Sequence, residues 1–172
     1  MKRILSLAAL VAAAVLVPLA SAALIKGTAG NDVLTGTSAR DYIRGFAGDD
    51  AISGTAGRDY AWGGAGNDNV AGNGGTDRVW GGPGDDTVTG GNGADVWVSG
   101  GMGNDTVNGG DGADFIFGNP GNDTLNGSNG NDHVFGGLGQ DTITCGDGMD
   151  VAHADGTDTV AADCERRLPA RP

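Results

Sequence analysis

Hydrophobic positions in this chain follow two regimes. Residues 4–17 are apolar almost without a break, Ser6 alone interrupting the run. From Gly27 onward an apolar residue returns at every ninth place: Leu34, Ile43, Ile52, Ala61, Val70, Val79, Val88 and Trp97. One extra residue, Ser99, shifts the frame. The series then resumes with Val107, Ile116, Leu125, Val134, Ile143 and Ala152. Around these positions the chain divides into fourteen nine-residue blocks, such as GTAGNDVLT, GGPGDDTVT and GGMGNDTVN. Six residues rich in Gly, Asn and Asp cannot hold a helix or strand, but they make a tight turn with positive φ angles. The remaining three predict a short strand whose middle side chain, at position eight, faces opposite to its neighbours. One such strand buries nothing alone, so the repeat predicts an all-β solenoid in which stacked copies share a column of position-eight side chains. Leu24-Ile25-Lys26 has the strand pattern without a preceding turn and is read as the half-block that starts the stack.

The apolar run near the start has a different reading. Lys2 and Arg3 precede it and Ala20-Ser21-Ala22 follows it, the pattern of a secretory signal with a small-residue cleavage site. Residues 1–22 are therefore expected to be a signal peptide. The run is short for a span, and no later segment is apolar enough to cross a membrane, so no transmembrane segment is expected after cleavage. The destination is secreted, either extracellular or associated with the cell surface.

Composition changes this picture in one respect. Of 22 acidic residues, 21 are Asp and Glu165 is the single Glu. Solvated acidic surfaces mix the two, whereas near-exclusive use of the shorter carboxylate points to turns and to ligation of a hard cation. A net charge of −12 excludes nucleic acid as a partner, because phosphate binding needs a basic surface.

The aspartates are also periodic. Position six is Asp in every block: Asp32, Asp41, Asp50, Asp59, Asp68, Asp77, Asp86, Asp95, Asp105, Asp114, Asp123, Asp132, Asp141 and Asp150. Position four is Gly except at Ala39, and position one is Gly until Cys145. These blocks resemble the haemolysin-type (RTX) nonapeptide repeat, G-G-x-G-x-D-x-U-x with U a large aliphatic residue. The resemblance implies a parallel β-roll in which each block makes half a coil and calcium sits between stacked turns on both sides. It also implies that the fourteen position-six aspartates, with carbonyls of the glycine-rich turns, are the ligands. Ala39 puts its own turn in doubt, since alanine tolerates positive φ poorly. Two close-packed columns of carboxylates repel unless neutralised, so folding is expected to be coupled to calcium, with about twelve inter-turn sites as an upper bound from the repeat architecture.

No catalytic motif stands beside the repeats. The chain lacks H-E-x-x-H and G-x-S-x-G and has two histidines, His133 and His153, so it is expected not to be an enzyme. Its two cysteines, Cys145 and Cys164, predict a disulfide in an exported protein. Asp158, Val160 and Ala161 mimic positions six, eight and nine of a degenerate block. Residues 23–153 are thus read as the roll and 154–172 as a stapled C-terminal cap and tail, covering an open end that would otherwise leave strand edges unpaired.

Sorting positions seven and nine by alternate blocks separates two outer faces. One collects Thr, Asn and other small residues. The other carries Tyr42, Tyr60, Trp62, Trp80, Phe115, Phe117 and Phe135. Trp97 falls at position eight, too large for a narrow interior. A bulge at the Ser99 insertion is expected to turn Trp97 outward and Val96 and Val98 inward, adding Trp97 to the aromatic face. An apolar face of that size predicts contact: self-association or a cell-envelope partner. The expected function is a secreted calcium-binding structural or adhesive module. The alternative is a calcium-dependent binder of glycan or ice using one solenoid face.

Overall fold

The computed structural model describes residues 21–169, and the expected signal lies outside them but for Ser21 and Ala22. Seventeen parallel strands wind into a two-sided roll. The first sheet holds β1 (Leu24–Lys26), β3 (Tyr42–Ala47), β5 (Tyr60–Ala65), β7 (Arg78–Pro83), β9 (Trp97–Met102), β11 (Phe115–Pro120), β13 (His133–Leu138), β15 (Val151–Ala154) and β17 (Arg166–Pro169), in that order. The second holds β2 (Val33–Thr35), β4 (Ala51–Gly57), β6 (Asn69–Gly75), β8 (Thr87–Asn92), β10 (Thr106–Asp111), β12 (Thr124–Asn129), β14 (Thr142–Asp147) and β16 (Thr159–Val160). The fourteen blocks supply β2 to β15, one strand each. β1 starts the first sheet, as the half-block reading expects, and β16 and β17 add a further strand to each sheet at the C-terminal end. Among the described residues no helix is long and apolar enough to cross a membrane.

Most full blocks contribute a longer strand than the aliphatic triplet predicts. Most run for six residues, because positions one to three of the next block continue the ladder. Side chains at positions eight and one then both point inward, giving the pattern exposed, buried, exposed, buried along β3. Position one is glycine, so position eight alone fills the interior. Val70, Val79, Val88, Val107, Ile116, Leu125, Val134 and Ile143 form one continuous core, each at most 1% exposed.

That narrow column explains the frame shift. In β9, Trp97 pairs with Arg78, Val98 with Val79 and Ser99 with Trp80. Val98 is therefore the inward residue and Trp97 points outward, as expected. The extra residue is Val96, not Ser99. The Val96 amide donates to the Asp77 carbonyl (3.2 Å), the bond that position seven makes in other blocks, as Arg78 does to Asp59 (2.9 Å). Val96 and Trp97 together stand opposite Arg78, a β-bulge at the strand entry. Val96 stays half-buried there and does not turn inward, which corrects that part of the expectation.

At the C-terminal end Cys145 and Cys164 are disulfide-bonded, with Cα atoms 5.1 Å apart. Cys145 occupies the inward position one, where the other blocks have glycine, and its sulfur extends the core. The bond ties β14 to the segment between β16 and β17.

Candidate metal ladders

The turns that join the sheets are shaped by glycine at two places. From Gly48 onward position four has a positive φ, for example 140° at Gly84, a conformation L side chains rarely adopt. Position one must lack a side chain for another reason. A Cβ on Gly72 would stand 2.6 Å from Oδ2 of Asp77 in its own block and 2.6 Å from the carbonyl oxygen of Gly90 one coil on. Glycine there lets a carboxylate oxygen and a backbone oxygen from stacked coils converge. Ala39 and its neighbours avoid the strain expected of alanine: among the described residues the positive-φ non-glycines are Phe46, Thr55, Asn73, Asn119 and Ser128, and Ala39 is not one of them.

All fourteen position-six aspartates line up in two columns on opposite edges of the roll. One column runs Asp32, Asp50, Asp68, Asp86, Asp105, Asp123, Asp141. The other runs Asp41, Asp59, Asp77, Asp95, Asp114, Asp132, Asp150. Within each column the amide of one aspartate donates to Oδ1 of the next, as Asp50 does to Asp68 (2.8 Å) and Asp77 to Asp95 (2.7 Å). Thirteen of the fourteen are at most 3% exposed, and Asp32 at the start is half-buried.

The second carboxylate oxygen behaves differently along the columns. In the twelve aspartates from Asp50 to Asp150, Oδ2 is buried and has no hydrogen-bond partner. At the N-terminal ends it is satisfied: the amide and hydroxyl of Thr28 donate to Asp32, and those of Thr37 to Asp41, with hydroxyl distances of 2.9 and 3.0 Å. The C-terminal ends close with residues outside the fourteen. The Asp141 amide donates to Oδ1 of Asp158 (3.0 Å), whose Oδ2 accepts from the Asp155 amide (2.6 Å). The Asp150 amide donates to Glu165. The single Glu thus completes the second column, its longer side chain reaching where no regular turn supplies an Asp.

Buried carboxylates without partners are costly as anions. Burial is the main cause that pushes Asp86 and Asp114 up to about 7 and Asp59, Asp95, Asp105, Asp123 and Asp132 up to about 6. The amide each accepts opposes this, and for most of them neighbouring carboxylates in the column add to it. A divalent cation beside Oδ2 would relieve both burial and repulsion. Among the described residues no three His, Cys, Asp or Glu side chains converge on one point. In most turns from Asp50 onward a buried carboxylate oxygen stands near a backbone carbonyl oxygen of the next coil, oxygen groups of the kind a hard cation such as calcium takes.

A second set of contacts went unseen in the sequence. Position five of one column carries Asn31, Asp49, Asn67, Asp85, Asn104 and Asn122, and each side-chain Oδ1 accepts the position-five amide of the next coil at 2.7–3.0 Å. The other column has Arg40, Arg58, Thr76, Ala94, Ala113, Asn131 and Met149 at the same position, and the described bond of this kind there is Met149 to Asn131 (2.8 Å). Sorting position five by alternate blocks, as was done for positions seven and nine, carries that signal.

The aromatic residues lie on the outer side of the first sheet. Tyr42, Tyr60, Trp62, Trp80, Trp97, Phe115, Phe117 and Phe135 fall at positions seven and nine, and Phe46 joins them from position two. In-register strands stack the rings along the roll: Tyr42 on Tyr60 (4.9 Å), Phe115 on His133 (5.0 Å), and Phe117 between Trp97 and Phe135 (4.1 and 4.9 Å). Trp62 and Trp80, with Pro83, Met102 and Pro120, wall an apolar groove of about 540 Å³ floored by Gly82 and Gly101.

No curated protein matches the chain. A family model described as the RTX calcium-binding nonapeptide repeat, in four copies, matches residues 26–61, 62–96, 99–133, 108–143 and 117–152. These spans cover most of the chain and all fourteen turns that carry the aspartate columns. The chain belongs to the RTX calcium-binding nonapeptide repeat family.

Proposed function

We propose that this protein is exported and works outside the cell as a non-catalytic structural or adhesive module whose roll assembles on calcium. The ligands in this reading are the position-six aspartates with carbonyls of the stacked turns. The observation that carries it is the set of twelve buried Oδ2 atoms without a donor. Asp32 and Asp41 head the columns, but with Oδ2 closed by Thr28 and Thr37 they are framework rather than full ligands. Ca²⁺ sites in extracellular modules have dissociation constants of about 0.1–1 mM, which would keep the chain unfolded before export and fold it afterwards. Far-UV circular dichroism should show β-structure appearing with calcium and lost with chelator, and equilibrium dialysis should count about twelve ions. A chelated chain that keeps its β-signal, or a calcium-loaded one that holds only one or two ions, would sink this reading.

A second reading assigns surface binding to one face. The first sheet favours a glycan, because its stacked aromatics and apolar groove offer rings on which sugar faces can lie. The second sheet carries Thr87, Thr106, Thr124, Thr142 and Thr159 in register, the array an ice-binding role requires. Thermal hysteresis in calcium is the test of that alternative.

A further inference from the structure

Between Ala23 and Glu165 the chain has five cations, Lys26, Arg40, Arg44, Arg58 and Arg78, and all lie in its first half. The fold places them together. Lys26 and Arg44 stand at position nine of β1 and β3, and Arg78 at position seven of β7, all on the outer side of the first sheet. Arg40 and Arg58 sit in the turns that lead into β3 and β5 and are exposed. Among the described residues no ion pair joins any of the five to a carboxylate. Among the described residues the first sheet's outer face thus carries Lys26, Arg44 and Arg78 without an ion pair in a protein of net charge −12.

The patch is also stiffened by aromatics. The Arg44 guanidinium lies 4.7 Å over the Trp62 ring and 5.3 Å over Phe46. Arg78 lies 5.2 Å over Tyr60 and donates to its hydroxyl at 2.8 Å. Cations held on aromatic faces have less freedom to lose on binding a ligand. Strand register sets Lys26, Arg44, Trp62 and Trp80 in one line parallel to the roll axis. With about 4.8 Å between strands, that line is roughly 14 Å long: two cations, then two indoles opening on the apolar groove.

From this arrangement we infer that the first sheet's N-terminal half binds an acidic polysaccharide, one chain lying along the line with its carboxylate or sulfate groups on Lys26, Arg44 and Arg78 and a sugar ring in the Trp62–Trp80 groove. The inference deepens the surface-binding reading above and requires the calcium-folded roll. A single narrow chain fits the charge pattern better than a nucleic acid duplex or an anionic bilayer, because a broad polyanion would also overlie Asp49 and Asp85 on exposed turns. The apolar face of a pyranose suits the indole walls of the groove.

The test is calorimetric titration of the full chain in calcium with hyaluronate oligosaccharides, the same oligosaccharides carboxyl-reduced, duplex DNA, and phosphatidylserine vesicles. Circular dichroism on each sample separates loss of fold from loss of binding. The expected result is binding of the acidic oligosaccharide that weakens with salt and is lost on carboxyl reduction. Arg44→Gln with Lys26→Gln should weaken it at least tenfold, and Trp62→Ala should do so without changing its salt dependence. If Trp62→Ala fails to fold, the Arg44→Gln with Lys26→Gln pair carries the test. A folded wild-type protein that ignores the acidic oligosaccharide, variants that bind it undiminished, or tighter binding to DNA or vesicles would each overturn the inference. A chain that does not fold in calcium would overturn the proposed function as well.

Discussion

Each internal aspartate does two jobs with its two oxygens. Oδ1 holds the preceding coil by accepting its amide, and Oδ2 is presented, buried and without a donor, to the space between turns. The first job is independent of charge, but the second is not. In the ion-free roll the carboxyls of Asp86 and Asp114 are raised to about 7, above the ordinary value near 3.8 that an unfolded chain has. A carboxyl raised on folding contributes stability that is full below the unfolded value and disappears as pH rises through the folded one. The ion-free chain should therefore gain β-structure on acidification from pH 8 to pH 5, and calcium binding to the acid-folded form should release protons. Circular dichroism in chelator across that range, with calorimetry in buffers of different ionisation enthalpy, measures both. A chelated chain with no more structure at pH 5 than at pH 8 would contradict the argument.

At the scale of the strand, the nine-residue period is set by geometry that two residues test directly. The position-eight column admits Val, Ile and Leu, and the bulge at Val96 keeps Trp97 out of it. Deleting Val96 should restore a regular block with Trp97 outward, leaving calcium-dependent folding intact and stability within about 1 kcal/mol. Deleting Ser99 restores the same count but puts Trp97 at position eight, where overpacking costs about 1–3 kcal/mol or more. Thermal melts in calcium of the two deletions distinguish them; equal melting temperatures would mean the bulge has no such role. Much of this level was legible in the sequence, because position eight reads as a column and parity separates the aromatic residues. The length of the strands was not legible. Position-one glycines look like turn residues, and only stacking shows that they lie in the ladder, facing inward against an aspartate. The place of the extra residue was hidden too, since a frame of nine fits equally with Val96 or Ser99 removed, and the volume of Trp97 decides it.

For the whole molecule, coupling is between nearest neighbours, so the ends decide how far a coil-by-coil stack can fray. Both aspartate columns are closed at both ends by the protein's own groups: Thr28 and Thr37 donate at one end, and the carboxylates of Asp158 and Glu165 accept the last amides at the other. The fourteen-Asp column pattern was plain in the sequence, and Asp158 was legible there as a degenerate position six; Thr28, Thr37 and Glu165 were not, since they stand outside the aspartate series. The Cys145–Cys164 bond adds about 3 kcal/mol on a chain-entropy account. Cys145→Ser with Cys164→Ser should lower protection of β14 to β17 against amide exchange in calcium and leave β4 to β8 unchanged; a uniform loss along the roll would show longer-range cooperativity than nearest-neighbour stacking allows.

The disulfide also makes the roll an asymmetric mechanical element. A coil of eighteen residues rises by one strand spacing, about 4.8 Å, when folded, yet spans at most about 60 Å when pulled straight. Under tension along its axis such a roll is a spring that pays out chain one coil at a time. The covalent staple joins β14 to the segment after β16, so on the C-terminal side only β17 can peel as free chain. At the N-terminal end β1 and β2, three residues long with unpartnered outer edges, open a fully extensible coil. A module anchored by its C-terminal end and loaded at the other would lengthen stepwise from β1, and once β17 is released the staple would hold its last coil together.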